Sequence, residues 1–397
     1  MGVQEIELGE GSGGKKGRIE YDLIDDKKDL HPSRYLRNKN KMTRCGMLVL
    51  LIACTSSVLI GTAIGIHIKY VDSLGYLKAK PVSSTGHAFH TSFLVVGNMG
   101  EVDGEDYTIQ EEVGREMAYV GALLKPDFVV SAGDNFLPSG LKEPADPRFN
   151  TTFTSVYAKW PSLQVDWYAV LGEHDYGEGN TNANGLDESS PLHQMTSLNG
   201  ENLGPYWKCC GGRREGFVVK QHKDLDLFFV DTSPLVHKYY NKPWAAYQGG
   251  ILAERPKQDA QLDLLESQLE QSKASWKIVV GHHPIRSNGL SGDTPELERL
   301  REILKRHGVC IYLSAHDLAL QDIEDEDKGH LHYVGSGTGG AAQVDKRGLC
   351  CNKPKYFAAE PGFVTIALSK MELRVQFWAR EAKLLHEYEI NRLKMNR

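Results

Sequence analysis

The sequence has little of several things that would assign it to a simple class. It has no excess of basic charge, because 46 Lys and Arg stand against 52 Asp and Glu. No broad cationic face for phosphate backbones is therefore expected, and no nucleic-acid partner. Seven cysteines in 397 residues exclude a small disulfide-held scaffold. With 41% hydrophobic residues, the chain can instead bury the core of one large domain or two ordinary ones.

One uncharged run divides the chain into two parts. Residues 45–66 contain no charged side chain, and Arg44 precedes them while Lys69 follows shortly after. About 20 apolar residues cross the hydrocarbon core of a bilayer as a helix. A buried core helix of this length would keep a polar face, and this run has none. We predict a transmembrane helix over residues 45–67; the alternative is a cleaved secretory signal, although such signals begin nearer the start and are shorter.

The charges on either side of this run predict its orientation. Residues 27–44 hold seven basic side chains against one acid, Asp29. Basic residues flanking a span remain in the cytoplasm, and residues 1–44 have the composition of a disordered segment. The predicted organisation is a single-pass type II membrane protein with a disordered cytoplasmic tail at 1–44, the membrane helix at 45–67, a linker at 68–90, an extracellular or luminal domain at 91–391 and a C-terminal tail at 392–397.

Two features beyond the predicted span agree with a secretory compartment. Asn150 begins an Asn-Thr-Thr sequon and is a predicted glycosylation site. Four cysteines form two adjacent pairs, Cys209 with Cys210 and Cys350 with Cys351. Because adjacent cysteines do not bridge without distortion, we expect disulfides between the two pairs in an oxidising compartment. Four thiolates around zinc are the alternative, but the Cys-x-x-Cys spacing that favours such a site is missing.

Short apolar runs alternate with amphipathic segments along the predicted outer domain. Six of the runs predict buried strands that stop at polar residues: SFLVVGN, DFVVSAGDN, WYAVLGEHD, LFFVDT, WKIVVGHHP and CIYLSAHD. Leucines recur at helical spacing in segments 262–269 and 297–304. The alternation predicts an α/β fold, and in such folds ligands bind outside the carboxyl ends of the strands.

Acidic and histidine side chains follow four of these predicted strands. They are Asp134, Glu173, His174, Asp175, His282, His283, His316 and Asp317. A single such residue is typical of a turn or a helix cap. Together, carboxylates and imidazoles form the ligand set of a hard or borderline divalent metal. The sequence therefore predicts a metal site at the strand ends.

The order of these motifs resembles the purple acid phosphatases, the small tartrate-resistant type of metallophosphoesterase. The resemblance covers about residues 91–391. The segments VVGNMG, SAGDNF, VLGEHDY, VVGHHP and YLSAHDLALQ match the family's GDWG, GDNFY, GNHDY, GHYP or GHHP, and GHDHNLQ. The resemblance implies an α/β, four-layer metallophosphoesterase sandwich of two mixed β-sheets flanked by helices, here preceded by one transmembrane helix. It also implies two metals and a bridging hydroxide at the strand tips.

The resemblance implies different outcomes for the two metal sites. The three ligands exclusive to the first site are replaced by Asn98, Leu137 and Leu318. The second site keeps three ligands and has Glu in place of Asn, which gives Asp134, Glu173, His282 and His316. The family's proton-donating histidine is kept as His174.

A two-metal hydrolase uses both ions to activate a bridging water and to hold the attacking and leaving oxygens. We therefore expect at most one divalent ion, Zn, Mn or Fe, and no two-metal centre. The favoured interpretation is a pseudoenzyme, a membrane-anchored binding or structural module with an unidentified protein partner. Its four retained residues then hold one ion or close into hydrogen-bonded acid–histidine pairs. The alternative is an active acid phosphatase acting on phosphate monoesters with one metal, or with Glu101 or Asp103 rebuilding the first site.

Overall fold

The computed structural model describes residues 89–395 apart from the gaps at 101–107, 179–188, 196–202, 211–216, 223, 247–249, 255–256, 326–329 and 343–352. The predicted tail at 1–44, the predicted membrane helix at 45–67 and nearly all of the predicted linker lie outside the described residues. Within them, no helix combines the length and the apolar character needed to cross a bilayer.

In this part of the chain, strands form two mixed sheets of seven. The first sheet, in spatial order, consists of β14 (Leu384–Asn391), β13 (Glu372–Ala379), β12 (Gly362–Leu368), β1 (Thr91–Val96), β2 (Phe128–Ser131), β3 (Asp166–Ala169) and β4 (Trp207–Cys209). The second consists of β11 (Tyr356–Ala358), β9 (Leu320–Glu324), β10 (His332–Ser336), β8 (Ile311–Ser314), β7 (Trp276–Val280), β6 (Leu225–Phe229) and β5 (Phe217–His222).

Each sheet contains a run of four parallel strands. Strands β1 to β4 are parallel in the first sheet, and β6, β7, β8 and β10 are parallel in the second. Antiparallel strands lie on one side of this run in the first sheet and on both sides of it in the second. All six predicted strands are present. The prediction of two mixed sheets flanked by helices is confirmed.

Two of the described helices, those over Gln258–Gln271 and Glu298–Arg306, were predicted from the spacing of leucines. The α-helices are α1 (Thr108–Leu124), α2 (Ile251–Glu254), α3 (Gln258–Gln271), α4 (Glu298–Arg306) and α5 (Arg392–Met395). A π-helix covers Phe149–Ala158, and exposed Asn150 lies near its start. Short 3₁₀ turns cover Pro161–Leu163, His174–Tyr176, Pro191–Gln194, Ser233–Leu235, His237–Tyr239, Pro243–Ala246, Pro295–Leu297 and Arg380–Ala382.

Apolar side chains on both faces of each sheet build the layers. In β1, Phe93 and Val95 belong to the core between the sheets, whereas Leu94 and Val96 belong to the core that includes α1. Strand side chains alternate between faces, so a strand buried on both faces is apolar throughout. In the second sheet, Val279 packs on the outer side with leucines of α3 and α4. The layers are therefore helix, sheet, sheet and helix.

An aromatic cluster closes the outer face of the first sheet. Phe153 of the π-helix lies with its ring centroid 5.1 Å from that of Trp167 and 4.9 Å from that of Trp207. Tyr157 packs 5.0 Å from Trp167 in the same cluster. All four side chains are buried. The π-helix is thus fixed to β3 and β4 by aromatic packing.

The cysteine pairing differs from the prediction. Cys209 and Cys210 form a disulfide with each other, and Cys350 and Cys351 lie outside the described residues. Along an extended strand, neighbouring side chains point to opposite faces, which keeps adjacent sulfurs apart. Cys210 leaves this geometry, because it follows the last residue of β4 and has a left-handed backbone with φ of 60°. The structure therefore joins Cys209 to Cys210, where the sequence predicted bridges to Cys350 and Cys351.

The aromatic cluster should contribute strongly to stability. Replacing Phe153 with Ala should lower the free energy of unfolding by about 3–5 kcal/mol, because the change leaves a cavity in a closely packed core. Thermal unfolding of the full-length chain measures this. Leu123→Ala is the matched control, because Leu123 is 57% exposed on α1 and its loss should change stability by about 0.5 kcal/mol or less. Equal effects of the two substitutions would contradict the packing argument.

The disulfide has a direct chemical test. Peptide mapping without reduction should recover Cys209 and Cys210 in one peptide that lacks two hydrogen atoms relative to its reduced form. Recovery of that peptide cross-linked to the segment with Cys350 and Cys351 would restore the pairing expected from the sequence.

Candidate metal centre

Four strand ends bring the four predicted ligands together. Asp134 and Glu173 follow β2 and β3 of the first sheet, and His282 and His316 follow β7 and β8 of the second. His282 Nε2 lies 3.1 Å from Asp134 Oδ2 and 3.0 Å from Glu173 Oε2. His316 Nδ1 lies 2.8 Å from Glu173 Oε1. The carboxyl ends of parallel strands form the site, as expected for an α/β fold.

Unusual backbone geometry brings these side chains within reach of one another. Asn98, Asp134 and His316 have φ values of 55°, 53° and 58°, in the left-handed region. Gly172 permits the closest approach, since a Cβ there would lie 2.1 Å from Asp134 Oδ1. The loop after β3 can therefore pass directly beside the Asp134 carboxylate.

The hydrogen bonds of His282 show which ring nitrogen faces the site. Nδ1 lies 2.8 Å from the carbonyl oxygen of Ala132, which only accepts, so Nδ1 carries a proton and donates it. Nε2 then faces the carboxylates of Asp134 and Glu173. A lone pair between two carboxylates requires a cation, and either a proton or a metal ion meets that requirement.

The charges in the site follow from this arrangement. Burial would raise the pKa of Asp134, and Glu173 adds to that effect, but His282 and His174 outweigh both and lower it. Burial also opposes ionisation of Glu173, yet His316, His283 and His282 hold its pKa well below the usual range. Burial would lower the pKa of His282, whereas the two carboxylates raise it well above the ordinary value. Without a metal, protonated His282 lies between two ionised acids and compensates one of their two negative charges.

The structure adds His283 to the cluster. Its Nε2 lies 3.2 Å from Glu173 Oε2, and burial lowers its pKa to about 3, so its ring is neutral. Potential ligand atoms of Glu173, His282, His283 and His316 all lie within 4.8 Å of one another. The sequence predicted His283 as a strand-tip residue but not as a metal ligand. The adjacent histidines of GHHP are the sequence signal that could have added His283 to the cluster.

His174 lies at the edge of the cluster. Its main-chain N–H donates to Asp134 Oδ1 at 3.0 Å, and its Nδ1 donates to the Pro138 carbonyl at 2.6 Å. Its Nε2 is 4.0 Å from Asp134 Oδ2, and the side chain is 27% exposed. Burial would lower the pKa of His174, but Asp134 and Glu173 raise it. The residue can therefore present a proton toward an open cleft.

That cleft has a volume of about 280 Å³ and opens directly in front of the cluster. Lys242 Nζ lies 3.6 Å from Glu178 Oε1 at its rim, and Lys238 Nζ lies 4.9 Å from the centre of the Tyr239 ring. The side chains that line it are Glu173, His174, Glu178, Lys238, Tyr239 and Lys242.

Two acids predicted at the strand tips have other tasks. Asp175 accepts hydrogen bonds from the main-chain N–H groups of Gly172 and Asn135 at 2.9 and 3.0 Å, and burial followed by the charge of Asp134 raises its pKa to about 7. Asp317 accepts from the N–H of Ser291 at 2.8 Å and from the hydroxyl of Ser287. Both carboxylates hold loops in place behind the cluster.

The residues at the first metal position do not fit an ion. The amide of Asn98 is engaged with the backbone of His316, with Nδ2 donating to its carbonyl at 3.3 Å and Oδ1 accepting from its N–H at 3.1 Å. Leu137 and Leu318 are hydrocarbon, and Leu137 is buried. Glu101 and Asp103, which were considered as replacements, lie outside the described residues. Among the described residues, this position therefore offers an ion only the shared carboxylate of Asp134.

The residues at the second position fit one ion. Glu173 Oε2, His282 Nε2 and His316 Nδ1 are buried, and none has a well-directed hydrogen-bond partner in the described part of the chain. Buried polar atoms without partners are rare in folded proteins, and these three converge. Asp134, Glu173, His282 and His316 supply the mixed oxygen and nitrogen set that zinc, manganese or iron accepts.

Comparison with known proteins agrees with this geometry. A family model described as calcineurin-like phosphoesterase matches residues 91–320. Purple acid phosphatase 3 of Arabidopsis thaliana is 35% identical over 307 residues, covering 75% of this chain and 77% of the plant protein. Human tartrate-resistant acid phosphatase type 5 is 27% identical over 318 residues, covering 76% of this chain and 90% of the human one.

A solved structure shows the same fold. It is described as "GAP50 the anchor in the inner membrane complex of Plasmodium" and superposes with a TM-score of 0.59 at 23% identity, covering 77% of this chain and 89% of that one. Two mixed sheets, a strand-tip cluster of acids and histidines and these similarities lead to one conclusion. The chain belongs to the calcineurin-like phosphoesterase family and is a homologue of the purple acid phosphatases.

Proposed function

We propose that this protein is a membrane-anchored relative of the purple acid phosphatases that holds at most one divalent ion and acts as a binding or structural module. The observation that carries the proposal is the first metal position. There, Asn98 is committed to the backbone of His316, and Leu137 and Leu318 provide no ligand atoms. Phosphatase activity should therefore be strongly impaired.

The charge balance supports impaired turnover. When bound, a divalent ion would supply Lewis acidity and a more acidic bound water. The ionised carboxylates of Asp134 and Glu173 would neutralise its charge, which leaves little attraction for a phosphate dianion. Like charges 4 Å apart repel by about 4 kcal/mol at an effective dielectric constant near 20. A substrate phosphate beside these two acids is therefore poorly compensated.

The cleft supports a role in binding a ligand or a protein partner. Lys238 and Lys242 bring positive charge to its rim, and Glu178 offsets part of it. An opening of about 280 Å³ is close to the lower end of the range typical of small-molecule sites. The described residues thus offer a place for a ligand or for a side chain of an unidentified protein partner.

The membrane location rests on the sequence. The uncharged run at 45–66, with seven basic residues before it, supports a single-pass type II protein whose folded domain is extracellular or luminal. Exposed Asn150 can accept a glycan in such a compartment. The structural relative described as an anchor in an inner membrane complex supports a similar role here.

The second candidate function is an active acid phosphomonoesterase with a reduced metal site. His174 favours it, because this potential proton donor is partly exposed at the cleft and has a raised pKa. Metal content together with activity separates the two candidates.

The metal prediction concerns stoichiometry. The full-length chain in detergent, loaded with excess Zn²⁺ or Mn²⁺ and freed of unbound metal, should retain at most one ion by elemental analysis. His282→Gln should remove that ion, because the amide can donate to the carboxylates but is a poor ligand. The affinity for the ion should fall further than it does when only an outer hydrogen-bond partner of a ligand is lost, a loss that costs about 10–100-fold.

His332→Ala is the matched control for this experiment. His332 is a partly buried histidine paired with Asp322 at 2.9 Å, and it begins β10 at the end opposite the strand tips. Its replacement should leave the metal content unchanged. Hydrolysis of an aryl phosphate by the unmodified chain should stay close to the rate without protein. Two ions per chain, with turnover abolished by Asp134→Asn, would overturn the pseudoenzyme and support the phosphatase.

The topology prediction concerns sealed vesicles. The folded domain should be protected from added protease in vesicles with cytoplasmic side outward, and a glycosidase should increase the mobility of the unmodified chain but not of Asn150→Gln. A protease-accessible, unglycosylated domain would contradict the proposed orientation.

A further inference from the structure

Thr232 makes an unusual set of hydrogen bonds behind the cluster. It follows β6, is fully buried, and its Oγ1 accepts from the main-chain N–H groups of His282 at 3.2 Å and His283 at 3.0 Å. The same oxygen lies 2.9 Å from Nδ1 of the His283 ring. Thr232 therefore contacts the histidine pair in three places.

Proton counting fixes the direction of the third contact. A hydroxyl group has two acceptor lone pairs and one proton. Both lone pairs of Thr232 are engaged by N–H groups, so its proton is donated to Nδ1 of His283. Nδ1 is then unprotonated, and the proton of the His283 ring is on Nε2.

The Nε2 atom of His283 faces two further groups. His283 Nε2 lies 2.8 Å from Tyr239 Oη and 3.2 Å from Glu173 Oε2. The Nε2–H of His283 therefore points toward the Tyr239 hydroxyl and the Glu173 carboxylate.

We propose that Thr232 fixes the His283 ring with its Nε2–H directed toward Tyr239 and the Glu173 carboxylate, so that this ring positions Glu173. In this tautomer His283 has no lone pair facing the cluster, so it is a positioning residue and not a metal ligand. The tautomer therefore excludes His283 from the ligand set, which consists of Asp134, Glu173, His282 and His316. The part that concerns metal rests on the proposed function, whereas the tautomer does not.

The first test is independent of metal. Full-length protein labelled with ¹⁵N-histidine, free of metal and in detergent, should show His283 protonated on Nε2 and unprotonated on Nδ1. The signal is assigned by its loss in His283→Gln. Thr232→Ser should keep this tautomer, and Thr232→Val should change the His283 signals. A His283 ring protonated on Nδ1 in the unmodified chain would overturn the proposal.

The second test uses Co²⁺ as the probe ion. His283→Leu should weaken Co²⁺ binding by about 10–100-fold while leaving the visible spectrum of the bound ion unchanged, because only an outer partner of Glu173 is removed. His283→Gln, whose amide can donate from a similar position, should bind Co²⁺ more tightly than His283→Leu. Its bound ion should keep the same number of nitrogen ligands by pulsed electron paramagnetic resonance.

Loss of a coordinated nitrogen in His283→Gln would identify His283 as a ligand and overturn the proposal. Unmodified protein that binds no Co²⁺ would refute the metal part of the proposed function, and the ¹⁵N experiment would then decide by itself whether Thr232 fixes the His283 tautomer. The thermal midpoint of each variant controls for folding.

Discussion

Two buried carboxylates at the ends of neighbouring strands set the main constraint on this structure. Asp134 and Glu173 are almost fully removed from water, and ionised acids in that environment require compensation. His282 lies between them, and hydrogen bonding to Ala132 turns its Nε2 toward both. Removing one partner of such a buried pair usually destabilises a protein by about 3–5 kcal/mol. The same arrangement that could hold an ion therefore also secures the junction of the two sheets.

The sequence predicted the parts of the fold that depend on repeated patterns. Apolar runs ending in polar residues located β1, β2, β3, β6, β7 and β8, and spaced leucines located α3 and α4. The same strand ends carried Asp134, Glu173, His282 and His316, because parallel strands bring their carboxyl ends to one edge. The antiparallel strands were expected only in general, because the family resemblance implies that both sheets are mixed.

Other features depend on contacts between residues far apart in the chain, and no local pattern reports them. The distance from His283 to Glu173 is one example, since the two follow strands of different sheets. The engagement of Asn98 with His316 is another, because 218 positions separate them. The left-handed backbone of Cys210 beside the Cys209–Cys210 disulfide is a further feature that the two adjacent cysteines in the sequence do not reveal.

The left-handed backbone at Asn98 has a consequence for how such a protein evolves. Asparagine and aspartate are the residues other than glycine that adopt this conformation most readily. An exchange of one for the other at this loop can therefore occur in a single mutational step without altering the path of the chain. The exchange removes one negative charge from a crowded pocket, and the new amide binds the backbone of His316. A metal ligand at this position can thus be lost by genetic drift while selection still maintains the fold.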